Sequence, residues 1–566
     1  MGEKQRSTAA PHLLALGLYT VLAFVFTFPL ALNLDRVNAA GDPAVMVWSM
    51  AWIAHALATD PLSLYDANIF FPTENSLAYT DILLPSALAA APFYHLTGNA
   101  LLGMNVVLFL TFVLSGYTTF LLVRHLLAER PYAVPAALFA GAVYAFSPYR
   151  MGHITQLNSM TTYWLPLILL FMHRYLERGR RKRDLWLAGL FFTLNAVSGL
   201  YYGVFATLMV AAFLAIWFAL RRSLPEARDA LRAFPAAAVF GAVLTFLLYP
   251  YIALSGGQEH SRDIEQVIGG SFIPRALLVS PPESLLLGWT PEALGLPHGG
   301  GRPLYELTLY PGLAAALLAL YGLRHRIPRH AALYAGIGLT LALLSLGPRI
   351  SPFGLAEIPT PYALLYEYLP GFGNLRVPAR MWAIVMLCIA VLAGFGLRAL
   401  LEKLRGRKAA LALAAVSVFA ALEFMPTLPW DRYIDRGPAT PEPAYAWLAE
   451  NDPDTVVAEV PFASDNDPFR ETPRMYRSTY GWWRLVNGYA SYFPEGYAET
   501  RTALNTFPDD RSLKRAQNLG VRYIILHPGE YDEDGEDGSA RIRAADANPN
   551  LERVIGDSEA ILYRLK

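Results

Sequence analysis

Cysteine is nearly absent: Cys388 is the one example in 566 residues. An internal disulfide needs two, so none exists, and a Cys-rich metal site is excluded as well. Charge is also scarce. Asp, Glu, Lys and Arg make up 16% of the chain, whereas a soluble domain carries about a quarter, and 54% is hydrophobic. The 46 basic residues balance 46 acidic ones, so no net positive field invites nucleic acid. Fixed-spacing metal motifs such as His-Glu-x-x-His are missing, and no strong internal repeat is visible. What these absences leave is a membrane protein.

Long apolar runs supply its frame. They lie near residues 12–32, 100–123, 132–147, 161–177, 185–201, 202–220, 233–254, 304–322, 331–347, 381–401 and 409–427. Against the roughly 17–25 residues that a spanning helix needs, they predict about eleven spans. The N-terminal MGEKQR leads into an apolar run with no small-residue cleavage site, so the first span is expected to stay uncleaved.

The basic residues sort along this frame. Lys4/Arg6, Arg124/Arg130, the run Arg178–Arg183, Arg221/Arg222/Arg228/Arg232, Arg324/Arg326/Arg329 and Lys403/Arg405/Arg407/Lys408 all fall on one side of an eleven-span layout. Lys and Arg collect on the cytoplasmic side. The N-terminus is therefore expected inside and the C-terminal segment outside.

Loops 33–99, 148–160, 255–303 and 348–380 then lie outside, together with residues 428–566. Loop 33–99 holds two apolar stretches, 43–58 and 82–96, each too short to cross, which predict two surface helices. Trp48, Trp52 and His55 share one face of the first. That face suits the membrane interface; a short helix packed on the bundle is the alternative. From 428 the composition turns polar. A helix from Pro441, capped by Thr440, and another over Arg511–Asn518 are predicted beside strands at Thr455–Val460, Val521–Leu526 and Ala560–Leu565. The expected architecture is a polytopic α-helical membrane domain, 1–427, followed by an extracytoplasmic α/β domain, 428–566.

The outer side carries the candidate chemistry. Asp42 opens the first surface helix, with Pro43 at its first position; Asp35 and Asp81 lie in the same loop. Each could equally serve as a helix cap or interfacial residue. Outer arginines run against the positive-inside trend and suit phosphate: Arg150 in "SPYRMGHITQ" beside His153, Arg262 in "GGQEHSRDIEQ", and Arg376 and Arg380 in "NLRVPARMW". Arg376 and Arg380, four apart, would share a helical face if the helix starts early. Glu306 heads the run "ELTLYPG" at the outer edge and could position substrate. A divalent metal (Mg²⁺, Mn²⁺ or Zn²⁺) could be held by Asp42, His153, Glu259 or His260. The aromatic segment Tyr476, Tyr480, Trp482, Trp483, Tyr489 and Tyr492 reads either as a sugar-stacking surface or as core.

"GDPAVMVW" at 41–48 is similar to the Asp-initiated motif of the protein mannosyltransferase-like branch of the GT-C membrane glycosyltransferases, with Pro43 where a second acid is usual. "GDPAVMVWSMAWIAHAL", "IFFPTENSLAYTDILLPSALAAAPFYHLTGN" and "AFSPYRMGHITQLNSMTTYWLPLILLFMHRYLERG" resemble a broad group of bacterial membrane proteins in that superfamily. "NLRVPARMW", "LVNGYASYFP" and "LGVRYIILHPG" extend the likeness over most of the chain. The resemblance implies a hexosyl- or pentosyltransferase. It would move a sugar, with inversion, from a polyprenyl-phosphate donor to an extracytoplasmic glycan, lipid or protein acceptor. Asp42 would then be the base, with Asp81 and Asp35 behind it, and the outer arginines would meet the phosphate. The rivals are a lipid-linked glycan flippase or transporter and a non-catalytic glycan-binding scaffold.

Overall fold

The computed structural model describes all residues except 1, 39–41, 129, 178, 224–226, 258–261, 297–303, 325–327, 351–356, 370, 429–434, 437–440 and 465–466. The chain forms two compact units, Met1–Leu32 with Val107–Asp431 and Asn33–Val106 with Arg432–Lys566. The sequence boundary at 427/428 missed one partner: the outer loop clusters with the C-terminal segment, not with the helices that flank it.

Each apolar run carries a helix: Gly2–Phe26, Ala100–Leu127, Ala133–Ala145, Trp164–Glu177, Lys182–Ala196, Leu200–Arg221, Ala227–Gly257, Leu313–Arg324, Pro328–Leu344, Trp382–Leu404 and Gly406–Phe424. Among the described residues, five stretches are long and apolar enough to cross a bilayer: Ala9–Phe26, Ala100–Leu127, Leu200–Arg221, Leu231–Leu254 and Pro378–Leu404. The Trp382–Leu404 helix is apolar all round, and its side chains are buried at nearly every position from Trp382 to Leu397, as expected of a helix at the centre of a bundle. It meets the Leu313–Arg324 helix through glycines. A Cβ on Gly396 would strike the Leu318 carbonyl, and one on Gly322 would strike the Leu392 carbonyl. Small residues of this kind let two helix backbones approach closely.

One predicted span is shorter than its apolar run. Helix over 304–322 was expected, yet the helix begins only at Leu313. Residues Leu304–Leu307 form a separate 3₁₀ turn. Pro311 lacks a backbone donor, and Gly312 has φ +84°, a combination that stops a helix from continuing. Glu306 therefore sits on a turn ahead of the helix rather than at its head.

In the second unit a five-stranded sheet is built from β1 (Val456–Val460), β2 (Arg484–Leu485), β3 (Tyr523–Leu526), β4 (Leu551–Gly556) and β5 (Ile561–Leu565). Their order is β2-β1-β3-β5-β4. β1 runs parallel to β2 and β3, while β5 is antiparallel to β3 and β4. Every residue of β1 and β3 is buried, as central strands require; Glu459 is the one charged residue among them. Three of these strands match the predicted ones to within two residues. The predicted helices appear as Pro443–Asn451 and Asp510–Asn518; the Thr440 cap lies outside the described residues.

The Asp42–Thr59 helix buries the face expected at the membrane interface. Trp48 is fully buried, and its Nε1 donates to Asn68 Oδ1 at 3.0 Å. Asn68 in turn donates to Ser478 Oγ and to the Trp483 carbonyl, both at 2.9 Å. Trp52 Nε1 donates to the Leu64 carbonyl at 2.9 Å, and His55 stacks on Trp482 at 4.7 Å. Trp483 is buried and stacks on Tyr445. Trp482 and Trp483 thus act in packing within this unit, which favours the core reading of the aromatic segment at those two positions.

Candidate functional site

The residues of "NLRVPARMW" do not share a helical face. Pro378 restrains the residue before it, and Val377 is held at φ −127°, ψ 80°, off the helical region. Only from Pro378 does a 3₁₀ turn, Pro378–Met381, lead into the Trp382–Leu404 helix. Arg376 therefore stays exposed outside any helix while Arg380 is buried. The backbone here is pinned from two sides. Arg376 N–H donates to Tyr201 Oη at 3.0 Å, and Ala379 N–H donates to the Gly270 carbonyl at 3.1 Å. Gly270 is required for that approach, since a Cβ there would collide with the Arg376 carbonyl.

Arg380 closes a buried polar network. Its Nε donates to Glu306 Oε1 at 2.9 Å, one terminal nitrogen to the same oxygen at 2.5 Å, and that nitrogen also to Gln156 Oε1 at 2.9 Å. The other Glu306 oxygen faces His153 Nε2 at 3.0 Å. His153 Nδ1 faces the Tyr149 carbonyl at 2.7 Å. Both ring nitrogens thus face oxygen atoms. Burial alone would push the Glu306 carboxyl up; the Arg380 guanidinium and His153 overcome it and hold the group down at about 2.

The chain brings these groups together through short non-helical pieces. His153 follows the Pro148–Gly152 turn, and Gly152 packs against Thr308, where a Cβ would collide with the threonine hydroxyl. That contact sets the turn carrying His153 beside the turn carrying Glu306. Tyr149 Oη donates to the Arg380 carbonyl at 3.2 Å and pairs with Tyr202 Oη at 3.0 Å. Gln156 and these two tyrosines were not singled out from sequence. Gln156 follows His153 by three positions, which was the signal available.

The other predicted residues fall elsewhere. Arg262 sits at the edge of the same loop cluster: its N–H donates to the Gly373 carbonyl at 2.9 Å, and its carbonyl accepts from Tyr366 Oη at 2.9 Å. Arg150 is 1% exposed, and its guanidinium donates to Thr162 Oγ1 and to the carbonyls of Ala145, Thr111 and Met160. Four acceptors and complete burial give Arg150 a structural role in joining chain segments and leave it unsuited to the predicted phosphate contact. Asp35 is exposed beside Arg36, 3.2 Å away. Asp81 is half-buried ahead of the Leu84–Thr97 helix, and its carbonyl accepts from Ser49 Oγ. Asp42 is the first residue of its helix, but its side chain lies outside the described residues, as do Glu259 and His260. Of the residues predicted to hold a divalent metal, His153 alone has a described side chain. Its two nitrogens face Glu306 and a carbonyl, and Arg380 already supplies a cation at that carboxylate.

A family model described as a domain of unknown function, DUF6311, matches residues 14–424. The chain belongs to the DUF6311 family. The DUF6311 region contains Asp42, Asp81, His153, Glu306 and Arg380 and ends before the β-sheet. Comparison with curated protein sequences finds no match. Among solved structures, the chain is similar to the arabinofuranosyltransferase AftD from Mycobacteria, with TM-score 0.60 and 16% identity over 98% of this chain. It spans only 41% of AftD's length. It is also similar to ArnT from Cupriavidus metallidurans bound to undecaprenyl phosphate, with TM-score 0.55 and 12% identity over 96% of this chain and 97% of ArnT. This DUF6311 protein has the GT-C fold.

Proposed function

We propose that the chain is an integral membrane glycosyltransferase that moves a sugar from a polyprenyl-phosphate donor to an extracytoplasmic acceptor, with inversion. The observation that carries this reading is the match to ArnT across nearly the full length of both chains, a protein whose structure holds undecaprenyl phosphate. The buried network of Arg380, His153 and Glu306, with the exposed guanidinium of Arg376 a few residues away, supports it at the level of chemistry.

As the acceptor oxygen attacks the anomeric carbon, its proton leaves and the bond from that carbon to the phosphate oxygen breaks. The base in this reading is Asp42, with Asp81 and Asp35 the other carboxylates of the same loop. The leaving phosphate gains charge, which arginines stabilise through paired N–H donors. Arg376 and Arg262 take that role directly, while Glu306 and His153 hold Arg380 in one orientation. No step here is routed through a metal.

The test is turnover by the full chain in nanodiscs with a panel of radiolabelled polyprenyl-phosphate sugars, with and without EDTA. Turnover that disappears in Asp42→Asn while donor binding persists would support the assignment. Donor binding by wild type without any turnover would replace it with a flippase or scaffold.

A further inference from the structure

A second cluster of chemistry-bearing side chains lies on the Arg- and Lys-bearing ends of the helices. His125 is in the last turn of the Ala100–Leu127 helix, and His330 is in the first turn of the Pro328–Leu344 helix. His173 and Glu177, four apart, share a face at the end of the Trp164–Glu177 helix. One Glu177 oxygen lies 3.3 Å from His173 Nδ1 and 2.6 Å from His330 Nε2. The other is 3.8 Å from His125 Nε2. The ligating atoms of His173, Glu177 and His330 all fall within 4.8 Å of one another.

We propose that His173, Glu177 and His330, with His125 as fourth donor, form a Zn²⁺ site that ties three helix ends together. Imidazole nitrogens with a single carboxylate match zinc and its neighbours in the transition series. Mg²⁺ and Ca²⁺ prefer all-oxygen shells. Tetrahedral zinc with bonds of about 2.0–2.1 Å spaces its donors about 3.3 Å apart, so side-chain rotations closing up to about 1.5 Å bring His173, Glu177 and His330 to that spacing, and His125 reaches in from beside Glu177. His173 is fully buried, and its far nitrogen, Nε2, lies 3.2 Å from Tyr334 Oη. A hydroxyl can donate or accept. It therefore serves the ring when Nδ1 carries the proton toward Glu177, and again when the metal takes Nδ1 and the proton moves to Nε2. A hydrogen-bonded partner behind a metal-binding imidazole is what fixes its orientation. This inference does not rest on the proposed activity.

The probe is Zn²⁺ itself, titrated into the full chain in detergent after EDTA stripping, with a purification tag that carries no histidines. A chromophoric chelator competes for the metal, and Co²⁺ absorption reports the geometry. Wild type should hold about one Zn²⁺ per chain, resist excess Mg²⁺, and melt at a higher temperature with zinc than without. His330→Ala and the Glu177→Gln/His330→Ala pair should bind more than about 100-fold more weakly, a loss beyond what disturbing an outer partner causes, and should lose the zinc-induced rise in Tm. If the pair fails to fold, His330→Gln alone carries the test, since this side chain is 23% exposed. Equal zinc affinity in wild type and the folded variant, or no binding by wild type, would overturn the site.

Discussion

Two buried networks in this molecule use the same three residue types differently. In the helical unit, Glu306 joins Arg380 and His153 on turns between helices. In the sheet unit, Glu459 on β1 joins His527 at 2.8 Å and Tyr445 at 2.7 Å, with Arg474 at 3.8 Å. Arg474 also donates to Glu471 Oε2 at 3.0 Å, to the Pro461 carbonyl at 2.7 Å, and to Glu530. The sheet network is rooted in β1 and in the residue that follows β3, and it lies outside the DUF6311 region. The helical network lies inside that region, on chain with no regular structure to spare, beside exposed Arg376. A buried ion pair is weak support for stability, because desolvation offsets most of the attraction. Rigid strands suit a network that fixes a core; irregular turns beside exposed cations suit one that positions a guanidinium for a ligand.

The largest expected effect separates the two. Arg474→Met strands buried carboxylates and should destabilise the sheet unit by about 3–5 kcal/mol, read by urea unfolding of the full chain. Combining Glu306→Met with Arg380→Met removes the ion pair as a whole, so stability should fall less than in Arg474→Met, yet donor turnover should drop by roughly 100-fold, about 2.7 kcal/mol. If the double variant turns over normally, the helical network is merely structural and the contrast collapses. Arg376→Ala should lower kcat and kcat/KM for the donor about tenfold, and shift stability by less than about 0.5 kcal/mol.

The smallest effect is in acid. The Glu306 carboxyl is held below its ordinary value, so its contribution is complete above the ordinary carboxylate range and is lost as pH falls toward about 2. Glu459 behaves in the same direction: burial raises it, but His527 and Arg474 bring it down. Glu471 runs the other way, because burial outweighs Arg474 and holds its carboxyl up; its folded form gains as pH falls. The sheet unit's response is therefore partly cancelled. Hydrogen exchange compared between pH 5 and pH 3.5 should show peptides around Glu306 loosening more than those around Glu459.

Local features of the fold were legible in the sequence, and pairings across it were not. Apolar length located the helices, and short apolar runs, one of them interrupted by Glu459, located β1 and β3, because both depend on neighbours in the chain. Pro311 and Gly312 were visible as breakers, yet the apolar run around them read as one span. The i, i+4, i+7 face of Trp48, Trp52 and His55 was correctly drawn as a face. Its partner, in residues 478–483, lies more than four hundred positions away, and periodicity carries no information about that. The same limit hid the meeting of His153 with Glu306, 153 positions apart. Each was chosen separately for its charge at the outer edge, and only the fold could join them. Glu459 was passed over because one acid inside "TVVAEVP" looked like strand sequence.

The close contact of Gly396 with the Leu318 backbone has a mechanical consequence. The Trp382–Leu404 helix starts one residue after the turn that carries Arg380. Gly396 lies sixteen residues beyond Arg380, about 24 Å along the axis. A methyl there would act as a shim between two posts, and a stiff helix would pass that tilt to its far end. The aim of the guanidinium is thus set partly by a glycine about 24 Å away, the smallest residue in the alphabet.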